Sequence, residues 1–359
     1  MSVLYRKHRP TAFSEIVGQE HIVQTLQNAI KMDNIAHAYL FAGPRGTGKT
    51  TMARLLVKNL NCVSPKNSVA CLKCDVCTEV DKGNFVDLIE MDAASTRGID
   101  DIREIKEAAR VMPTKSKYKV YLLDEAHMLT GPAANSLLKV LEEPPAHVIF
   151  ILATTDAHKI LPTIVSRTQR FDFRLLTRKE ISERLKSIAQ KEKKPISDDA
   201  VKLITTASGG SMRDAESILG KILFLDDPSP ERIQELLGFT ARGQVSEFLE
   251  LIINSKKEDA LEHIDRVIKG GGDPDQFARS SIEYARVLML LKLSPSSQEM
   301  VLEDFSADEA ELAKKQAEKL TEKKIYSIIR EFINAGNEVK YSPLPQLPLE
   351  LAAINLTTE

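Results

Sequence analysis

A chain of 359 residues with 43% hydrophobic and 28% charged side chains is long enough for two or three domains, each with its own core. Its formal net charge of −2 excludes a broadly basic nucleic-acid coat, so any contact with DNA must run through a local patch or channel. No apolar run reaches membrane-spanning length and the first seven residues hold no signal-peptide core, so a cytoplasmic protein without a membrane partner is expected.

The run Ala38-Tyr39-Leu40-Phe41-Ala42 predicts a buried strand, and the stretch from Thr51 to Leu60 has helical apolar spacing. Between them Gly43-Pro44-Arg45-Gly46-Thr47-Gly48-Lys49-Thr50 fits the phosphate-loop pattern G-x-x-x-x-G-K-[ST]. Glycines let backbone N–H groups curl around phosphates, Lys49 reaches the β- and γ-phosphates, and Thr50 offers its hydroxyl to Mg²⁺. With Thr51, these residues are the candidate binding site for a nucleoside triphosphate.

Cys62, Cys71, Cys74 and Cys77 follow in a C-x8-C-x2-C-x2-C pattern. In a reducing compartment four clustered thiolates read as a closed tetrahedral Zn²⁺ site, structural because no position is left for water or substrate. Further apolar runs at 86–91, 119–123, 148–153 and 169–173 alternate with helical patterns, the grammar of an open α/β sheet. The third strand delivers Asp124 and Glu125 to its C-terminal edge, where Asp124 would hold Mg²⁺ and Glu125 would orient the attacking water. The fourth ends in Thr154-Thr155-Asp156, where a polar residue could sense the γ-phosphate, though by itself the stretch reads more readily as a plain strand end.

Strand signals stop near residue 178. Short helices fill 178–240, with turns at Ser208-Gly209-Gly210 and Pro228-Ser229-Pro230, and further helices fill 243–359, broken at Gly270-Gly271-Gly272 and Ser294-Pro295-Ser296-Ser297. Three domains are expected: an α/β nucleotide domain over 1–177 with a zinc module at about 62–77, a helical lid over 178–242, and a second helical domain over 243–359.

The phosphate loop, the Asp-Glu box, the sensor position, Ser166-Arg167-Thr168 and Gly210-Ser211-Met212-Arg213-Asp214-Ala215 together resemble the AAA+ ATPases. More narrowly, Tyr5-Arg6-Lys7-His8-Arg9-Pro10, Phe13, Ile16-Val17-Gly18-Gln19-Glu20, the four-cysteine insert and Leu141-Glu142-Glu143-Pro144-Pro145 resemble the gamma/tau subunits of the bacterial DNA polymerase III clamp loader. That resemblance implies an ATP hydrolase that uses ATP, Mg²⁺ and Zn²⁺ and whose last helical domain forms a collar. The resemblance further implies work in a hetero-oligomeric, pentameric ring at the nucleoid. Its partners would be other clamp-loader subunits, a sliding clamp and primer–template DNA, with polymerase and helicase bound through C-terminal regions of longer family members. It also implies that Arg167 is a finger reaching a neighbour's ATP, Arg213 the lid sensor, Thr155 the core sensor, and Arg9, Pro10 and Val17 the adenine pocket. The family loop commonly reads Ser-Arg-Cys, so Thr168 is a departure.

For Arg167 and Arg213 a simple salt bridge is the competing reading. Residues 97–119 carry seven basic and four acidic side chains; Arg97 and Arg103 are the candidates for DNA phosphate contact, against a solvated helix face with pairs such as Arg103–Glu107. Two other functions compete. A branch-migration motor would share both ATP motifs, but the zinc insert speaks against it. An ATP-binding scaffold without turnover would more often lack Lys49 or the catalytic acid.

Overall fold

Five parallel strands build the sheet: β1 (Ala38–Ala42), β2 (Leu88–Asp92), β3 (Lys119–Asp124), β4 (Val148–Thr154) and β5 (Gln169–Asp172), of which the inner three, β1, β3 and β4, are apolar runs buried on both faces while β2 and β5 are partly exposed. Their order is β2-β3-β4-β1-β5. The computed structural model describes residues 3–95, 98–225, 228–229, 232–233, 236, 242–294, 298–302, 305 and 307–358. They fall into two compact units, Met1–Pro228 and Ser229–Glu359.

Period-two alternation sends Tyr39 and Phe41 to one face of the sheet and Ala38 and Leu40 to the other. On the first face, Ile22 and Leu26 of one helix and Met52 and Leu56 of another close the core; these belong to α2 (Glu20–Lys31) and α3 (Lys49–Asn61), preceded by the short α1 (Leu4–Lys7). On the second face lie α5 (Ile99–Ala109) and α6 (Gly131–Glu142), which contribute Ile102, Ile105, Leu137 and Leu141; α4 (Asp75–Lys82) caps the cysteine segment on the first. Because β1 lies between β4 and β5, the chain leaves it through α3 and crosses to the far edge, opening a crevice at the C-terminal ends of the strands.

Strand positions agree with the sequence reading except at the second. Residues 86 and 87 were expected inside it, but pairing starts at Leu88. Asp87 is buried just before the strand, and its carbonyl still accepts the Val120 N–H of β3 at 2.8 Å. Its carboxylate accepts the Thr114 N–H (2.7 Å), the Lys115 N–H (2.8 Å) and the Ser116 hydroxyl (2.9 Å), pinning the loop that enters β3.

Past α7 (Pro162–Val165) and β5, three helices complete the first unit: α8 (Arg178–Lys191), α9 (Asp198–Ala207) and α10 (Met212–Ile222). Each starts on a capping hydroxyl, Thr177, Ser197 and Ser211, and Thr177 forms a reciprocal box with Glu180. These helices occupy most of the stretch expected as the lid and fall within the first unit.

The second unit is helical in all its described secondary structure: α11 (Arg242–Ile253), α12 (Lys257–Lys269), α13 (Pro274–Leu293), α14 (Gln298–Leu302), α15 (Ala307–Lys319), α16 (Glu322–Val339) and α17 (Leu347–Thr358). The rings of Phe277 and Phe332 meet Phe248 edge-on at 5.0 and 5.7 Å in its core. Among the described residues no helix is long and apolar enough to cross a membrane.

Candidate active site

β1 feeds the phosphate loop directly, with the Gly43 N–H bound to Thr154 O at 3.1 Å. Gly43 (φ +146°) leaves no room for a side chain, since a Cβ would stand 2.3 Å from Phe173 O, and Gly46 (φ +77°) would place one 2.0 Å from Ser211 Oγ. The loop opens onto α3, whose first turn carries no acidic residue, so its positive end faces the crevice uncompensated from within the helix.

Lys49 is buried and its Nζ donates to the carbonyls of Gly43 (2.6 Å) and Pro44 (2.8 Å). Burial lowers its pKa, and the carboxylates of Glu125 and Asp124 oppose that shift. Thr50 Oγ1 donates to Asp124 Oδ2 at 2.9 Å, while Asp124 Oδ1 accepts the Glu125 N–H at 3.0 Å. Glu125 sits in the left-handed region at φ +49°, a strained setting for a residue with a side chain. Its Oε2 accepts the Thr155 hydroxyl (2.8 Å) and N–H (3.2 Å), and His127 Nδ1 stands 3.4 Å away. The strand order explains the convergence: β4 runs between β1 and β3, so Thr155 stands between the loop and the two acids.

A cavity of about 320 Å³ takes in Arg45 through Thr51, Asp124 and Glu125, together with Arg9, Pro10, Val17 and Arg213. Thr155, Gly43 and Pro44 stand behind that lining and reach it through Glu125 and Lys49. Among the wall residues that sequence reasoning missed are Tyr5, Arg184 and Glu216. Glu216 lies one turn beyond Arg213 on the same face of α10, a spacing that could have signalled it. Burial pushes its carboxyl up to about 7 against the pull of Arg184, whose Nε is 3.6 Å away.

Arg167 lies elsewhere. Its Nη2 pairs with Glu142 at 2.8 Å and its Nη1 donates to Thr163 O at 2.9 Å, with both partners of the ion pair partly exposed. Arg103 is an exposed side chain paired with Asp100 at 2.8 Å, not with Glu107, which pairs with Arg110 at 3.4 Å. The i,i+3 geometry on α5 wins because the nearer acid lies on the same turn. Arg97 lies outside the described residues.

The sulfurs of Cys62, Cys71, Cys74 and Cys77 all lie within 4.8 Å of one another. Zinc–sulfur bonds of ~2.3 Å put tetrahedral sulfurs about 3.8 Å apart, and the Cys62–Cys74 and Cys74–Cys77 separations are 3.9 and 3.5 Å. The Cys71 N–H donates to Cys62 Sγ (3.2 Å) and the Cys74 N–H to Cys71 Sγ (3.3 Å), the backbone support that thiolate ligands require. Backbone N–H groups, that of Lys73 foremost, bring Cys71 down to about 6, whereas burial pushes Cys62 and Cys77 up. The donor set and spacing fit Zn²⁺.

Three family models cover the chain in tandem: DNA polymerase III, delta subunit, over residues 18–177; DNA polymerase III clamp loader subunit, ATPase lid domain, over 180–221; and DNA polymerase III subunits gamma and tau domain III, over 229–359. The Bacillus subtilis DNA polymerase III subunit tau is 38% identical over 355 residues, 98% of this chain; the chain spans 62% of that relative's length. Among solved structures, the Thermotoga maritima RuvB Holliday junction branch migration motor matches at a TM-score of 0.49 and 21% identity over 68% of this chain and 79% of that one, a likeness too distant to separate functions. The DNA polymerase III subunit gamma of Buchnera aphidicola is 34% identical over 359 residues, 99% of this chain and 98% of its own length. With such coverage of both partners, the chain belongs to the gamma/tau family of DNA polymerase III subunits.

Proposed function

We propose that this chain is an ATP-hydrolysing subunit of a clamp loader, in which ATP binding and hydrolysis drive opening of a sliding clamp and its loading onto primed DNA. The observation that carries the reading is the linked set Lys49, Thr50, Asp124 and Glu125 at one sheet edge, backed by Thr155, in a cavity that Arg213 also lines. Backbone amides of residues 43–48 and the start of α3 receive the phosphates, and Lys49 exchanges its two carbonyl partners for phosphate oxygens. Thr50 and Asp124 hold Mg²⁺, which when bound neutralises charge on the phosphates. Glu125 orients the attacking water once Thr155 turns its hydroxyl from the carboxylate to the γ-phosphate. Arg9, Pro10 and Val17 form the adenine end.

Arg167 acts in trans as the finger of the next subunit, in keeping with its place outside the chain's own cavity. The four cysteines hold structural Zn²⁺. Residues 1–177, 178–242 and 243–359 serve as nucleotide domain, lid and collar in a hetero-oligomeric, pentameric ring that works in the cytoplasm at the nucleoid. The match of 229–359 to gamma and tau domain III favours this reading over a branch-migration motor, and the presence of Lys49, Asp124 and Glu125 favours it over a scaffold without turnover.

The deciding measurement is steady-state ATP hydrolysis by the reconstituted complex, with and without clamp and primed DNA. Stimulation by both is expected; a rate indifferent to both overturns the reading.

A further inference from the structure

The N-terminal turn is a strap fastened to the lid. Leu4 is buried, its Cγ 3.6 Å from the position a Cβ on Gly220 of α10 would take. Lys7 pairs with Glu192 at the end of α8 at 2.7 Å, His8 pairs with the same carboxylate, and Arg184 Nη2 donates to His8 O at 2.5 Å. From Thr11 onward the core takes over, since Lys58 of α3 donates to Thr11 O at 2.8 Å. Tyr5 therefore rides on the same lid as Arg213.

Within the cavity the two side chains meet. Arg213 Cζ stands 4.9 Å from the Tyr5 ring centroid, and Arg6 approaches the same ring at 5.8 Å. A hydrogen bond from Arg213, then one from Arg6, lowers the Tyr5 phenol below its usual value. Arg184 has Glu216 and Arg167 has Glu142, but among the described residues no carboxylate pairs with Arg213. That contrast has a chemical consequence. A carboxylate orients an arginine by neutralising it, whereas an aromatic face orients it through the ring quadrupole and leaves its full charge available.

We propose that Tyr5 is the positioning residue for Arg213: its ring fixes the guanidinium over the cavity while leaving the positive charge free for a nucleotide's phosphates. This inference rests on the ATP reading of the cavity. Fixing a long side chain in advance removes rotamer entropy that binding would otherwise cost, so Tyr5 contributes to affinity without touching the nucleotide.

The test is equilibrium binding of ATP and of ADP to the full chain and to Tyr5→Ala, Tyr5→Leu, Tyr5→Phe, Arg213→Ala, Lys49→Ala and the Tyr5→Ala/Arg213→Ala double variant. Tyr5→Ala and Tyr5→Leu are expected to weaken ATP about 3- to 30-fold, the range of a lost cation–π contact. Both should alter the ATP-to-ADP affinity ratio in the same direction as Arg213→Ala. Tyr5→Phe should stay within about threefold of wild type because it keeps the ring. In the double variant the losses should not multiply, because the ring has nothing left to hold. Wild-type binding by Tyr5→Leu, a Tyr5→Phe chain as weak as Tyr5→Ala, or multiplying losses would each overturn the role. The two readings fail separately: undiminished ATP binding by Lys49→Ala overturns the ATP assignment itself, while loss there with none in Tyr5→Ala overturns only the positioning role.

Discussion

Hydrogen-bonded polar groups serve different ends in the two units. In the first they converge on a sheet edge open to a cavity: Lys49 on the carbonyls of Gly43 and Pro44, Thr50 on Asp124, and Thr155 on Glu125. In the second, Tyr284 donates to Gln316 Oε1 at 2.8 Å and lies 3.1 Å from Ser246 Oγ, while Gln316 Nε2 donates to Ser246 O at 3.0 Å, tying α13, α15 and α11 together inside the apolar core. A ligand can replace the partners in the first set and cannot reach those in the second. Loss of a group should accordingly read out as activity in one unit and as stability in the other.

The sharpest way to break that contrast is Lys49→Ala, expected to abolish ATP binding or turnover while leaving the thermal midpoint close to wild type. A large fall in midpoint would make Lys49 a structural lysine. Next in size is Arg167→Ala. Nucleotide affinity should stay within about twofold, while turnover of the assembled complex drops by roughly 10³, the lower end for a finger arginine; unchanged turnover removes that assignment. Glu142 holds this arginine only by a partly exposed pair, worth about 0–1 kcal/mol, so the finger can be released at little expense.

The cysteine module lies in the first unit but should behave like the second. One zinc per chain is expected by metal analysis, and none in Cys74→Ser. Chelation should then lower the melting temperature, by a stabilisation of about 4 kcal/mol if free zinc stands a thousandfold above its Kd. Tyr284→Phe, which leaves Gln316 Oε1 without this donor, should cost about 1 kcal/mol in denaturant titration and leave ATP binding alone.

His263 sharpens the comparison through pH. Burial lowers its pKa from 6.5, with Glu247 opposing and Arg266 adding to the shift. The unfolded chain therefore binds the proton more readily, so this contribution to stability is present above about 6.5 and is lost as pH falls from there through the lower folded value. Denaturant midpoints at pH 7.5 and 5.5 should differ in that direction, and His263→Gln should reduce the difference; an unaltered slope would discard it.

Much of the first unit was legible because its chemistry is local in sequence. The phosphate loop occupies eight consecutive residues, the two acids are adjacent, and the four thiols fall within sixteen positions. What stayed hidden is what folding brings from afar. Tyr5 and Arg184 meet the cavity only because α1 and α8 pack beside it, and no periodicity announces that. Asp87 looked like strand because it sits between Val86 and Leu88, yet its carboxylate serves a loop 27 residues downstream. On α5 the spacing allowed two partners for Arg103, and only the folded helix selects Asp100. In the second unit helical periodicity was plain and the glycine break at 270–272 falls between α12 and α13, but repeated apolar spacing holds no chemistry to read.

Ser211 begins α10, and its hydroxyl occupies the space a Cβ of Gly46 would need. No spacer separates the phosphate loop from the helix bearing Arg213. Anything that swells or shifts this bend by a few tenths of an ångström must push directly on the foot of that helix, whose far end is gripped by Leu4. The arrangement is a short lever resting on its fulcrum, with direct contact as the mechanical link between the bend and the helix.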